Sequence, residues 1–544
     1  MATAATSRLP LGWTGQGVRR SGLLLLALTL TTVVYYPITQ NYFHGDDFVY
    51  LYELSNHQFL QFLLRPQAGH VQLARNLIFS LFYFTFGTEP AWYFRVVLLT
   101  HLANVALLFR LVWRFTGSAG LACFGAALWG AAAFHDETLG WYSVYGQVLV
   151  ATLLLGVLVH VTRAASESAP PRYAPYLWYA ALVVASLCFG VGTAIALAFP
   201  PVVVALWPAV RARRDLVRLF SSLLLVVPAL YVLLHWLYSL TPGALPQASS
   251  RFLEIAVLRW PSVLRMIGGL LAVGAISPLL GPLESQLPGP DLWVVGVTAV
   301  YVAAVIALAL RGSTTRRHQL FACIVLAVSS YSMVAFGRAG LYVALKYGMG
   351  VTVHRYHYVA SIPLAVVTCL ILDYVSQWSP LRYLRSNFTL AVWAGLMCVS
   401  VFRAPRALEH YDNDRHYTAQ VLQVLRSQIA NAAAGRPVYI ANQEFRPMDS
   451  WWVTPPILFP GWAGLYLIFF PDNVVDGKRV YFVEHDEQLV AALRARPRTR
   501  VAALLVTPAE VPGGHAAVRG LPFLADQPAF APVRRTHSPS AAQS

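Results

Sequence analysis

The chain has 544 residues, of which 57% are hydrophobic and only 12% are charged, and its formal net charge at pH 7 is +16. A soluble protein carries about a quarter charged residues, so this composition excludes an ordinary soluble protein and indicates a polytopic membrane protein. The five cysteines lie in apolar runs without paired spacing, so neither a disulfide framework nor a zinc site is predicted.

The chain begins with Arg8, Arg19 and Arg20 ahead of an apolar stretch at 21–39. Basic residues followed by an apolar run are typical of a signal sequence. Because no small-residue cleavage site follows, we interpret this stretch as an uncleaved first span that leaves the N-terminus in the cytoplasm.

Further apolar runs predict about eleven spans in all, within a membrane domain at 1–404. The runs after the first are 91–113, 118–135, 143–162, 175–189, 192–208, 216–239, 291–310, 319–337, 357–376 and 387–403. With alternating orientation, every connection that becomes cytoplasmic carries basic residues, while most membrane-proximal acids fall outside. This positive-inside pattern explains the net charge by topology, so no nucleic-acid partner is predicted. Eleven spans place the C-terminus outside the cytoplasm.

Two intervals do not fit a simple span. Segment 77–90 is short and aromatic, which favours an interfacial helix. Segment 252–283 spaces Glu254, Arg259 and Arg265 along an apolar face, which favours an amphipathic or re-entrant piece, with a hairpin of two spans as the alternative.

The composition changes from about Pro405 onward. Apolar strand-type runs such as "RPVYIANQEF", "KRVYFVEHD" and "RVAALLVTP" are separated by stretches with helical periodicity. We predict a small extracytoplasmic α/β domain at 405–534 and a disordered tail at 535–544.

Under this topology, polar residues from three distant segments converge on the outer face. Asp46 and Asp47 begin the first outer loop, and His135, Asp136 and Glu137 end the third span. The late segment 336–358 adds cationic and histidine side chains: Arg338, Lys346, His354, Arg355 and His357. A glycosyl transfer from a phosphate-linked donor needs this combination. A carboxylate takes a proton from the acceptor hydroxyl, while arginines hold the leaving phosphate.

Each of these signals also has a structural interpretation. The acidic pair could be a solvated loop, and the "HDE" cluster could cap a helix or lie among lipid headgroups. Arg338 and Arg355 could be interfacial arginines whose head groups reach water. We interpret four histidines as packing residues and not as ligands: His70, His101, His235 and His354.

The first 150 residues and the late Arg-Tyr loop resemble a known family. An acidic pair after the first span is followed by "RP", "HVQLARNLIFSLFYFTFG" and "EPAWYFRVVLLTHLANVALLFRL". This order is similar to the polytopic GT-C glycosyltransferases, and closest to bacterial relatives of the protein O-mannosyltransferases and of the TPR-bearing transmembrane O-mannosyltransferases. A Glu-x-x-x-Trp element is found at Glu137 to Trp141, and an Arg-Tyr element at Arg355-Tyr356. No 34-residue helical repeat is visible, so an acceptor recognised through a TPR array is not predicted.

The resemblance implies a polyprenyl-phosphate sugar donor, no nucleotide sugar, and inversion at the anomeric carbon. No cofactor is predicted; metal dependence varies across the superfamily, and the sequence does not support a metal site. By position, Asp46 would be the general base, and Asp47 would orient the acceptor or share that role. Glu137 would be the second acid lining the site. Arg355 and Arg338 would hold the lipid phosphate. His135, Asp136 and Tyr356 complete the predicted substrate-binding set.

The sequence leaves the sugar open, and the acceptor could be a glycan, a lipid or a protein. A multi-pass protein of the plasma or inner bacterial membrane is expected, in contact with membrane lipids. Three alternatives remain: a transporter or flippase, an O-antigen polymerase or ligase, and a catalytically inactive family member.

Overall fold

The computed structural model describes residues 15–43, 47, 50–51, 54, 59–66, 70–166, 171–241, 260–280, 290–344 and 353–377, together with five strands beyond residue 437. The chain forms two compact units, Met1–Arg415 and His416–Ser544.

The described part of the first unit is helical. Its helices are α1 (Gly15–Tyr35), α2 (Phe59–Leu64), α3 (Leu73–Phe86), α4 (Pro90–Thr116), α5 (Ala119–Gly130), α6 (Asp136–Gly140), α7 (Tyr145–Ser166), α8 (Ala174–Cys188), α9 (Gly190–Leu206), α10 (Arg214–Ser221), α11 (Leu223–Ser239), α12 (Trp260–Leu280), α13 (Pro290–Arg311), α14 (Thr314–Ala344) and α15 (Ser361–Val375). Short 3-10 turns lie at Tyr36–Gln40, Ala133–His135, Tyr142–Val144, Pro208–Ala212 and His354–Tyr356.

Several of these helices can cross a membrane by length and composition. Within the described residues, five helical stretches qualify: Gly17–Gln40, Pro90–Thr116, Tyr142–Ser166, Arg214–Ser239 and Thr314–Arg338. Other apolar helices have 10–17 residues. The structure is therefore that of a multi-pass helical protein, whereas the number eleven stays a prediction, and the predicted span at 387–403 lies outside the described residues.

The turn between α4 and α5 shows how local sequence sets the packing. Gly117 ends α4 with φ 67°, a left-handed conformation that glycine adopts without strain. Ser118 then caps α5 by accepting a hydrogen bond from the backbone N–H of Leu121. Two residues thus reverse the chain, and α4 and α5 pack against each other along their lengths.

Helix α5 packs against α1, α4 and α15. Of its residues, Leu121 to Gly130 are all buried. A Cβ atom on Gly130 would lie 2.5 Å from Thr31 Oγ1 of α1, so only glycine allows this close approach. The glycine at position 130 therefore allows α5 to approach α1 closely.

The ends of three helices are joined by a buried ion pair. Arg316, in the first turn of α14, contacts the carboxylate of Asp373 near the end of α15 and also donates to the carbonyl of Phe115 near the end of α4. Asp373 is fully buried. The C-terminal ends of α4 and α15 and the N-terminal end of α14 therefore lie at one end of the bundle, which we call the arginine end.

The two irregular intervals of the first unit are helical where they are described. Segment 77–90 falls mostly in α3, whose 14 residues span about 21 Å and cannot cross a ~30 Å layer. Its interfacial position stays a prediction. Segment 252–283 contains one continuous helix of 21 residues, α12, so the hairpin alternative is wrong. Val263, Met266 and Leu270 pack in a core cluster that includes Tyr331 of α14.

The second unit contains a five-stranded sheet of β1 (Val438–Asn442), β2 (Val474–Val475), β3 (Lys478–Val483), β4 (Ala502–Thr507) and β5 (Ala517–Gly520). The strand order is β2-β3-β1-β4-β5, with β1 parallel to β3 and β4, and with antiparallel edges. Three strands fall in the predicted runs. Parallel neighbours require crossover connections, usually helices. The predicted helices and the tail lie outside the described residues, so the α/β domain at 405–534 stays a prediction.

Removing the carboxylate of Asp373 should destabilise the bundle. The Asp373→Asn change leaves the partly buried guanidinium of Arg316 without its counter-charge, which costs about 3–5 kcal/mol when a buried pair is broken. The exposed pair Arg213–Asp215, 3.6 Å apart, supplies the control, because exposed pairs contribute little. Thermal unfolding in detergent should show a lower Tm for Asp373→Asn and no change for Asp215→Asn. Equal Tm values for both variants would contradict this account.

Candidate active site

Asp47 is the described member of the predicted acidic pair, and it is fully buried. Its Oδ1 accepts a short hydrogen bond from the hydroxyl of Ser143, in the turn before α7. Nearby, the side-chain amide of Asn41 donates to the carbonyl of Gly140, at 3.4 Å. The first outer loop is therefore attached to the segment that follows α6, and the interpretation of Asp47 as a solvated loop residue is wrong.

A buried arginine accompanies Asp47. Arg75 of α3 is 1% exposed, and its guanidinium carbon lies 4.2 Å from the ring centroid of Tyr50. Its Nε donates to Oε1 of Gln72 at 2.9 Å. Arg75 and Asp47 both interact electrostatically with Tyr142. Opposite charges thus act on one phenol in a region shielded from water, where electrostatic interactions are strong.

The predicted "HDE" cluster folds as the start of α6 and reaches the late loop. The Asp136 carboxylate accepts from the backbone N–H of Glu137, at 2.7 Å, as a residue at a helix start can. The same oxygen lies 2.8 Å from Nδ1 of His354. Asp136 therefore contacts both the start of α6 and the turn before α15, and its predicted role in substrate binding stays a prediction. His354 was expected to be a packing residue, but it is an acid partner with 42% of its side chain exposed.

Glu137 and Arg355 form the second contact between the two segments. Nη1 of Arg355 lies 2.9 Å from Oε2 of Glu137, and the backbone N–H of Arg355 donates to the same oxygen at 3.3 Å. The guanidinium also faces two aromatic rings, with its carbon 5.4 Å from the Trp141 centroid and 5.3 Å from that of Tyr356. Glu137 and Arg355 are 218 positions apart in the sequence and were predicted to lie on the same face. They are in direct contact.

His101, Trp129 and Tyr358 form a buried aromatic layer, and the last two lie close to these contacts in the chain. His101 is fully buried, with Nδ1 2.7 Å from the hydroxyl of Tyr358 and Nε2 2.9 Å from the carbonyl of Gly130, so its expected packing role is confirmed. His135 is also fully buried, with its ring centroid 4.9 Å from that of Trp129 and 4.7 Å from that of Tyr358. His135 therefore packs in the aromatic layer, and its predicted contact with the substrate stays a prediction.

Arg338 lies near the loop that precedes α3. The His70 ring stacks on Phe189 with centroids 5.7 Å apart, and a Cβ on Gly190 would lie 2.3 Å from its Nδ1. Burial, aided by the positive charge of Arg338, lowers the pKa of His70 to about 4. Arg338 at the late end of α14 therefore acts on the first outer loop, which brings a second predicted cation to the same end of the bundle.

The remaining predicted residues divide between described and undescribed positions. Tyr356 is 8% exposed and packs in the α12–α14 cluster, and His357 Nδ1 lies 2.8 Å from the Tyr331 hydroxyl. Asp46 and Lys346 lie outside the described residues. Among the residues the structure describes, no group of three His, Cys, Asp or Glu side chains is placed to hold a metal ion.

Sequence reasoning missed Arg75 and Ser143. Ser143 lies in "WYSVYGQ", where a single hydroxyl among aromatic residues gave no signal. Arg75 was detectable in principle, because a lone arginine inside the apolar run "HVQLARNLIFSLF" is costly unless it has a specific environment. The candidate site is thus built by the first outer loop, α3, α6 and the turn before α15.

Comparisons with known proteins give fold likeness alone. No family model matches the sequence, and no curated protein matches it. Among solved structures, the chain is similar to ArnT from Cupriavidus metallidurans bound to undecaprenyl phosphate, with 15% identity and a TM-score of 0.46 over 91% of this chain and 93% of that one. It is also similar to the Archaeoglobus fulgidus oligosaccharyltransferase in complex with Zn and sulfate, with 11% identity and a TM-score of 0.44 over 89% of this chain and 67% of that one. Such values carry no inference about the chemistry of this chain.

The environment of His70 predicts an acid-sensitive fold. Its pKa of about 4 lies below the ordinary value of 6.5. Between these pH values the His70 imidazole is therefore protonated in the unfolded chain and neutral in the folded chain. Stability should therefore fall as the pH drops from 6.5 toward 4. The loss of Tm over this window should be smaller in His70→Gln, whereas His318→Gln, at a partly exposed position on α14, should follow wild type. Identical curves for all three proteins would refute this role of His70.

Proposed function

We propose that this protein is an integral-membrane glycosyltransferase that moves a sugar from a polyprenyl-phosphate donor to an acceptor hydroxyl on the extracytoplasmic face. One observation carries the proposal. A buried carboxylate from the first outer loop, acids at the start of α6 and an arginine before α15 are gathered at the end of the bundle opposite the arginine end. Acids and a cation at one end of the bundle support the proposal, because such a transfer requires a general base and a phosphate-binding group close together.

The acidic half would activate the acceptor. In the proposed step Asp46 removes the proton of the acceptor hydroxyl, and the oxygen attacks the anomeric carbon from the face opposite the phosphate. The bond between that carbon and the phosphate oxygen breaks, and polyprenyl phosphate leaves. The configuration at the anomeric carbon is thereby inverted. Asp47, buried and bonded to Ser143, is better suited to orienting the neighbouring acid and the acceptor than to exchanging protons with solvent.

The basic half would hold the phosphate. Arg355 presents its guanidinium between Glu137 and the rings of Trp141 and Tyr356, which fix its plane. A guanidinium in a fixed orientation matches the oxygens of a phosphate monoester or diester. In the proposed reaction the donor phosphate accepts some of the hydrogen bonds that Arg355 otherwise donates to Glu137. Arg338 adds a second positive charge at the same end of the bundle. Glu137 then lies beside the reacting centre as the second acid.

The proposal includes the finer predictions made from the sequence. These are a mannosyltransferase-like hexosyl transfer, a plasma or inner membrane location, a cytoplasmic N-terminus and no resident cofactor. The acceptor is a glycan, lipid or protein hydroxyl. A transporter of lipid-linked sugars is the main rival, and it would bind the donor without transferring the sugar.

Transfer of a labelled sugar from a polyprenyl-phosphate donor should depend on the acidic pair. Membranes containing Asp46→Asn should transfer the sugar about 10²–10⁴-fold more slowly than membranes containing wild type, because the substitution removes the general base. Asp47→Asn should lower it less while weakening acceptor binding. The matched control is Asp215→Asn, an exposed acid in α10 near the arginine end, which should keep wild-type activity.

Protein level and donor binding are measured in the same membranes. Wild type that binds the donor but transfers sugar to no acceptor would favour the transporter alternative. Full activity in Asp46→Asn would show that Asp46 is not the general base, although the protein would still be a glycosyltransferase.

A further inference from the structure

A groove at the other end of the bundle is independent of the candidate active site. It lies between the second half of α7 and the first half of α8 and has a volume of about 510 Å³. Val157, Leu177 and Trp178 contribute apolar walls. Leu177 is 60% exposed, so one wall is open to whatever surrounds the helix bundle. In a membrane, that surrounding is acyl chain.

The mouth of the groove is basic. His160 and Arg163, both exposed, lie on α7 one turn apart and line the groove, and Tyr173 lines it from the start of α8. Further exposed arginines follow in the chain on the neighbouring segments: Arg172, Arg211, Arg213, Arg214 and Arg218. On the same segments Asp215 is paired with Arg213, and the exposed side chains there are mainly basic. An occupant with a negative head group and an apolar body therefore matches the groove in charge and in polarity.

Helix directions place this groove far from the candidate site. Tyr145 at the start of α7 bonds to Thr100, at 2.9 Å, and Asn104 donates to the carbonyl of Val148, so α4 and α7 run side by side in the same direction. At about 1.5 Å per residue, His160 lies roughly 22 Å beyond Tyr145. The groove therefore opens near the arginine end.

We propose that the α7–α8 groove binds an anionic glycerophospholipid. Its phosphate contacts His160 and Arg163, and one acyl chain lies along Val157, Leu177 and Trp178. A soluble phosphate would satisfy the basic mouth but would leave the apolar walls uncovered, whereas a phospholipid covers both. This binding does not depend on the proposed glycosyl transfer, because it uses other residues at the other end of the bundle.

The test is lipid binding by native mass spectrometry of the purified full chain. Phosphatidylglycerol and phosphatidylcholine of the same acyl composition are titrated separately. Gly156→Leu adds a side chain inside the groove, where a Cβ meets no protein atom within 4 Å. The matched control is Gly296→Leu in α13, where a Cβ also meets no atom within 4 Å. Wild type and Gly296→Leu should bind phosphatidylglycerol about tenfold more tightly than phosphatidylcholine, and Gly156→Leu should lose this preference.

A second pair of variants separates charge from volume and serves if Gly156→Leu does not fold. Arg163→Gln should weaken phosphatidylglycerol binding about fivefold, whereas Arg311→Gln, at the exposed end of α13, should not. The proposal is overturned if phosphatidylglycerol and phosphatidylcholine bind equally to wild type. It is also overturned if Gly156→Leu or Arg163→Gln binds like its control, or if inorganic phosphate displaces the lipid.

Discussion

The arrangement of the candidate site depends on the two contacts that join α6 to the turn before α15. Asp136 meets His354, and Glu137 meets Arg355, so residues 218 positions apart hold each other in place. Trp141 limits the rotation of the guanidinium. Partly buried charge-assisted hydrogen bonds of this kind are stronger than neutral ones, and they leave little freedom to either segment. The turn before α15 is thereby attached to α6, and Tyr358 just after it bonds to His101 and Trp129.

The bundle is chemically different at its two ends. At one end carboxylates and cations are interleaved, and Asp47 is enclosed together with Ser143. At the other end Arg316 is bonded to Asp373 and to the carbonyl of Phe115, and exposed arginines follow on neighbouring helices. A charge gradient of this kind orients a protein in a bilayer, because basic connections remain cytoplasmic. The same gradient separates a proposed site for a lipid-linked donor from a proposed site for an anionic membrane lipid.

Helix positions were the part of the structure most accessible from the sequence. Apolar length predicts a helix wherever backbone groups cannot reach water, so the predicted runs at 91–113 and 319–337 lie within α4 and α14. The convergence of acids and bases on one face followed from alternating orientation. The specific contact pairs could not be predicted, because no local sequence pattern links Glu137 to Arg355 or Asp47 to Ser143. For segment 252–283 only the hairpin alternative was wrong, because one continuous helix, α12, fills most of the segment and buries Met266 and Leu270 against α14.

The most direct test is the affinity for polyprenyl phosphate without a sugar, measured in wild type, Glu137→Gln and Arg355→Gln, with Arg213→Gln as an exposed control. If Glu137 and the lipid phosphate share the guanidinium of Arg355, Glu137→Gln should bind the lipid more tightly than wild type. Arg355→Gln should bind it about tenfold or more weakly, and Arg213→Gln should be unchanged. Equal affinities for all four proteins would contradict the assignment of Arg355 as the phosphate-binding residue.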